Sequence, residues 1–249
     1  MVASKLFSDG YFNEALLAGA APSDVAAAVL AKDRWHMVVH GDSLTLPRPI
    51  RYDDYSAQNP YLATRFVDTF PSLVARKLEA ELSKPVSMTN TSYRGMRWDQ
   101  FSLGVGRGLE ELVTSFEADI FVAFLGYTEM WQNQDGHEGV DLVAEQYATV
   151  LNRLMDRMPA LMAVVIALPL PGARVRERFG SRADAIARFN DLTESRLHPD
   201  IAHVALPNEP GVLHTDEQHL STIGHSVLAD HVFAAIMQRR AKLMALSAG

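Results

Sequence analysis

Serine is a weak nucleophile until a base takes its proton, so the serine of Gly41-Asp42-Ser43-Leu44 matters only in company. The sequence supplies that company near its other end, in Asp216-Glu217-Gln218-His219. A carboxylate three residues before a histidine, held in a turn, can reach Nδ1 and leave Nε2 facing a hydroxyl. Ser43, His219 and Asp216 are therefore candidates for nucleophile, general base and orienting acid in acyl transfer. Each has a plainer reading on its own, because Asp and Ser are common helix caps and turn residues.

For residues so distant in sequence to meet, the fold must carry them to one place. Apolar runs at 35–40, 85–89, 119–125, 161–168 and, more weakly, 201–205 read as strands. Between them, apolar spacing predicts helices at about 71–83, 105–116, 140–157 and 182–197, and a terminal helix at about 221–245. Leu73, Val74, Leu78 and Leu82 recur on one helical face, as do Val143, Tyr147, Val150, Leu151 and Leu154. Strand and helix in alternation predict an α/β fold: a three-layer α/β/α sandwich on a parallel sheet of about five strands. Ligands of such sheets bind outside the strands' carboxyl ends. Ser43 follows the first strand, Asn90-Thr91-Ser92-Tyr93-Arg94-Gly95 the second and Gly126-Tyr127-Thr128-Glu129 the third, so all three segments should converge on one edge.

Residues 1–34 read as a helical N-terminal extension, with Ser23-Asp24 placed to cap the Ala-rich segment from Val25 to Lys32. Residues 35–249 read as a single domain. The stretch 45–70 holds Pro47, Pro49 and Pro60 among arginines and tyrosines, is too long for an ordinary βα loop, and begins two residues after Ser43. It is expected either to overhang the site or to pack on itself as a surface excursion.

The net charge of −7 argues against a nucleic-acid partner. With no cysteine there is no disulfide, thiolate metal site or cysteine nucleophile, which fits a reducing compartment. No apolar stretch is long enough to span a bilayer and the N-terminus lacks a signal core, so the expectation is a cytoplasmic protein. His214, His219, His225 and His231 lack the spacing of a metal site, and Gly104-Val105-Gly106-Arg107-Gly108 follows no strand as a phosphate loop would. His225 and His231 are expected at the surface or partly buried on the last helix. No metal or cofactor is expected.

The ordered set of Ser43 in Gly-Asp-Ser-Leu, Gly95, and Asp216 with His219 before the Ile223-Gly224-His225-Ser226-Val227-Leu228-Ala229 helix resembles the SGNH hydrolases, also called the GDSL esterase/lipase family. The resemblance runs across residues 35–235. It implies a flavodoxin-like fold in which Ser43 attacks an ester carbonyl, His219 is the base and Asp216 orients it. It also implies an oxyanion hole built from the N–H groups of Ser43 and Gly95 and a third-block asparagine side chain. At that third position stands Thr128, whose single hydroxyl reaches less far than an amide; Asn90 or a residue of 45–70 is an alternative donor.

Arg94, Tyr127 and Trp131 flank these segments as candidate substrate-binding residues, the aromatics for stacking and the arginine for an anion, against the plain reading of a packed or solvated rim. The reading is a serine ester hydrolase acting on a short acyl ester of a polar small molecule or carbohydrate. Transfer of the acyl group to a sugar or small alcohol, or a degenerate domain that binds without turnover, are its alternatives.

Overall fold

Five strands, β1 (Trp35–Gly41), β2 (Val86–Asn90), β3 (Ile120–Phe124), β4 (Met162–Ile166) and β5 (Ala202–Val204), pair in parallel in the order β2-β1-β3-β4-β5. The computed structural model describes residues 20–47, 65–97, 108–132, 138–209, 211–213 and 216–248. Every residue of β3 and β4 is buried, as is all of β1 except His36. Strands covered on both faces must be apolar throughout, and Ile120-Phe121-Val122-Ala123-Phe124 and Met162-Ala163-Val164-Val165-Ile166 are. The edge strands β2 and β5 are mostly half-buried.

Helices cover both faces of this α/β sheet. Along the chain they are α1 (Pro22–Leu30), α2 (Phe70–Leu82), α3 (Gly108–Ser115), α4 (Tyr127–Gln132), α5 (Glu138–Arg157), α6 (Ala173–Arg178), α7 (Gly180–Arg196) and α8 (Thr222–Ala248). α8 packs on α1, α2, β4 and β5, while α5 packs on α7. Val140, Ala144, Tyr147, Leu151 and Leu154 make the buried stripe of α5, the three-and-four spacing of an amphipathic helix. One continuous set of buried side chains runs from Val25 in α1 to Leu243 in α8.

The five strands lie where the sequence places them, each within a few residues at its ends. α1 departs from the expectation in its start. Pro22 opens the helix and Ala21 stands at the cap position without a side-chain bond, so Ser23 and Asp24 lie in the first turn instead of capping it. Proline suits a first helical turn because the N–H it lacks would have no partner there. The short helices α4 and α6 have no counterpart among the expected elements. Residues 1–19, most of the 45–70 excursion (48–64), Gly104 to Arg107, and His214 lie outside the described residues. The two ends of the excursion are 3₁₀ turns, at Ser43–Thr45 and Phe66–Asp68.

The strand order reverses between β1 and β3: the chain leaves β1 for β2, then returns past β1 to form β3. At such a point the connections leave in opposite directions and open a crevice at the carboxyl edge. Ser43 lies just past the end of β1, at this crevice.

Candidate active site

Gly41 lets the chain turn sharply at the end of β1. A Cβ there would lie 2.4 Å from Thr45 Cγ2 and 2.7 Å from the Phe124 carbonyl oxygen, so any other residue would push the turn off β3. The Asp42 N–H bonds the Phe124 carbonyl at 3.3 Å, and Asp42 Oδ1 accepts the Leu44 N–H at 2.9 Å. The Thr45 N–H and hydroxyl both return to the Asp42 carbonyl. These bonds wind Ser43–Thr45 into one 3₁₀ turn and leave Ser43 half-buried at the edge of the sheet.

At the far end of the sequence, Leu213 and Leu220 form a β-bridge, and between them lies the turn that carries Asp216 and His219. Asp216 Oδ1 accepts the N–H groups of Gln218 and His219, both at 3.0 Å. Asp216 Oδ2 lies 2.9 Å from His219 Nδ1, and His219 Nε2 lies 2.9 Å from Ser43 Oγ. Burial pushes the Asp216 carboxyl up, but the hydrogen bonds from the His219 ring and backbone outweigh it and hold the group well below the usual carboxylate range. An ionised Asp216 fixes the proton on Nδ1, which leaves Nε2 as an acceptor for the serine proton.

Asp42, next to the serine, is in the opposite state. It is fully buried, and burial raises its carboxyl to about 7; the Leu44 N–H works against this, the charge of nearby Glu129 adds to it, and the Thr128 amide and hydroxyl oppose it weakly. Glu129 is itself only 6% exposed. This acid pair beside Ser43 has no counterpart in the sequence analysis. Its signal was the motif's own aspartate, standing between an apolar strand and the buried Leu44.

Gly95 has φ +72°, in the region where side chains are strained, and a Cβ there would meet nothing within 4 Å. That face of the turn is open. Around the two backbone donors, the Leu46 N–H returns to the Ser43 carbonyl and the Met96 N–H to the Tyr93 carbonyl, while the Ser43 and Gly95 N–H groups bond no carbonyl among the described residues. Thr128 faces Asp42. Asn90 Oδ1 accepts the Ser92 N–H at 3.0 Å, and its amide nitrogen is buried and bonds nothing among the described residues.

Of the two readings of the rim, the contacts of Tyr127 and Trp131 are those of a packed one. Tyr127 is 5% exposed and so belongs to the interior, because its ring stacks on Trp131 at 5.9 Å and 7°. Trp131 meets the edge of Phe179, and the Arg182 guanidinium lies 4.7 Å from its ring centre. Arg94 is exposed and donates to the Pro47 carbonyl at 2.7 Å, tying the second-strand loop to the start of the 45–70 excursion.

Two further histidines frame the site. His40, at the end of β1, is fully buried with Nδ1 2.8 Å from Thr91 Oγ1, and burial lowers it to about 4. His225 is buried in α8, against the expectation of a surface or partly buried place, because its ring stacks on Phe70 and its Nδ1 accepts the Phe70 N–H at 3.2 Å. Burial and the nearby charge of His219 lower it to about 4. His231 is exposed. Among the described residues no three histidine or acidic side chains gather as metal ligands, and no helix is long and apolar enough to cross a membrane.

No protein-family model matches this sequence, and no curated protein matches it. Solved structures do. A lipase, Lip_vut3, from a goat rumen metagenome superposes with a TM-score of 0.59 at 17% identity, over 81% of this chain and 97% of its own. A carbohydrate acetylesterase family member from Sinorhizobium meliloti gives 0.57 at 15%, over 83% and 99%. A carbohydrate esterase family 3 protein from Talaromyces cellulolyticus gives 0.58 at 13%, over 84% and 99%. The chain has the α/β/α fold of these lipases and carbohydrate esterases along nearly their whole length.

Proposed function

We propose that the protein is a serine ester hydrolase that works through an acyl-enzyme, with a short acyl ester of a polar or carbohydrate alcohol as its substrate. The observation that carries this reading is the unbroken hydrogen-bond chain from Ser43 Oγ to His219 Nε2 and from His219 Nδ1 to Asp216 Oδ2, each link 2.9 Å long. That three of the similar solved structures are named as acetyl or carbohydrate esterases supports the substrate class.

His219 Nε2 takes the serine proton as Ser43 Oγ adds to the carbonyl carbon. The oxygen that becomes negative is received by the N–H groups of Ser43 and Gly95. Thr128 is the third candidate donor, with Asp42 competing for its hydroxyl. The protonated His219 gives its proton to the departing alcohol, which leaves the acyl group on Ser43. Water then enters, loses a proton to His219, and releases the acid. Asp216 stays ionised throughout and stabilises the imidazolium. The partly open triad, with side-chain exposures of 18% for His219 and 22% for Asp216, suits an alcohol that projects into solvent.

The test is hydrolysis of p-nitrophenyl acetate by the purified protein and by Ser43→Ala. Release of nitrophenol by the wild type, at least about 10³-fold above the variant, is the expected result. Equal rates for the two proteins would remove Ser43 from the mechanism. Analysis of products with an added sugar acceptor separates release to water from transfer to an alcohol.

A further inference from the structure

The turn that presents His219 is held by a residue with no place in the triad. Glu217, between Asp216 and His219, has φ +59°, a left-handed conformation that costs a residue with a side chain. Its carbonyl accepts the Gly172 N–H at 2.8 Å. Its carboxylate reaches the start of α6, where Oε2 accepts the Arg174 N–H at 2.9 Å and Oε1 the Arg174 Nε at 2.7 Å. These bonds hold the carboxyl below its ordinary range, the Arg174 side chain contributing most. The fit is close: a Cβ on Gly172 would lie 2.5 Å from Glu217 Oε2 and 2.6 Å from Glu217 Cβ.

We infer that Glu217 is a positioning residue for this active site, a clamp that uses the strand-to-helix loop after β4 to fix the turn bearing Asp216 and His219. The inference rests on the serine-hydrolase reading above. Three bonds to one short loop segment, on a residue flanked by triad members, leave the turn one arrangement. Without them the left-handed backbone at 217 loses its anchor, and Asp216 and His219 move relative to Ser43. Small displacements of this kind weaken proton transfer far more than they weaken substrate binding. The backbone bonds carry the clamp. Arg174 is 76% exposed, and a solvated ion pair at this distance contributes little.

The test compares the rate of Ser43 labelling by a fluorophosphonate, and kcat and KM for p-nitrophenyl acetate, in the wild type, Glu217→Ala, Glu217→Gly, Glu217→Gln and Arg174→Ala. Glycine relieves the left-handed strain, so that variant keeps the fold while removing the side chain's part of the clamp. Expected are labelling and kcat lowered about 10- to 100-fold in the Ala and Gly variants with KM changed less than about twofold. The Gln variant, which can still accept the Arg174 N–H, recovers most of the rate, and Arg174→Ala stays within about threefold of the wild type. Wild-type labelling rates in a folded Glu217→Gly protein would overturn the clamp while leaving the esterase reading intact. A wild type that neither labels nor hydrolyses would overturn both.

Discussion

Asp42 and Asp216 have the same side chain, one next to Ser43 in the chain and the other joined to it through His219, yet the fold drives them in opposite directions. Asp216, 22% exposed, collects the His219 ring and two N–H groups of its own turn. Asp42, with no exposure, has the Leu44 N–H and, more weakly, the Thr128 amide and hydroxyl against the cost of burial and the charge of Glu129. One carboxyl is held below the usual range and the other rises to about 7. What decides is the balance at each site: full burial outweighs the donors that face Asp42, while the His219 ring and backbone outweigh the shallower burial of Asp216. The difference separates a group kept as an anion to orient a histidine from one that is mostly protonated below neutral pH and serves the turn beneath the serine.

The contrast breaks most visibly at Asp216. In Asp216→Asn the amide oxygen can still accept the turn's N–H groups, but an NH₂ facing Nδ1 would favour the proton on Nε2, the wrong tautomer for taking one from Ser43. The kcat for p-nitrophenyl acetate should fall about 10²–10⁴-fold with little change in melting temperature. A loss under about threefold would mean that Asp216 does not orient the base.

Asp42→Asn should act on stability. An acid raised from 3.8 to about 7 in the folded state keeps its proton there while the unfolded chain loses it, so between those two values the native protein loses stability as pH rises. The neutral amide escapes this. The stability difference between Asp42→Asn and the wild type should therefore grow in favour of the variant from about pH 4 to about pH 7 and then level off. Its size is on the order of a few kcal/mol, since each tenfold difference in acidity between the folded and unfolded chain is worth about 1.4 kcal/mol. A difference independent of pH, read from denaturant melts across that range, would show that folding does not make Asp42 harder to ionise.

The smallest effect is expected behind the triad. His225 has its ring lowered by burial from 6.5 to about 4, so the unfolded chain binds the proton first as pH falls. Its contribution is complete above about pH 6.5 and is lost on descent toward pH 4, the reverse of Asp42. Replacing it by Phe removes this dependence and leaves the Phe70 N–H without its acceptor, at a cost of about 1–3 kcal/mol. Chemical denaturation of His225→Phe at pH 7.5 and pH 5 should show a deficit that shrinks at the lower pH.

Much of this is legible in the chain itself. The doubly buried strands announce themselves because a strand covered on both faces has no choice but continuous apolar residues, as in Ile120 to Leu125. The meeting of Ser43, His219 and Asp216 is legible because a histidine, a carboxylate three residues before it and a strand-end serine make sense together in a way that three separate caps and turns do not. α4 and α6 are not, since six residues make fewer than two turns and carry no periodicity to read. The protonation of Asp42, the pinning of His40 by Thr91, the interior place of Tyr127 and the reach of Glu217 to Arg174 depend on contacts between segments distant in the chain. No local pattern encodes them.

Whether Ser43 is an activated nucleophile can be read in one experiment: the folded protein is treated with a fluorophosphonate and the adduct located by peptide mass spectrometry, with Asp216→Asn in parallel. One adduct per chain is expected, on Ser43, forming at least about 10²-fold more slowly in the variant. An unlabelled Ser43, or labelling at equal rates in the two proteins, would show that His219 and Asp216 do not activate it.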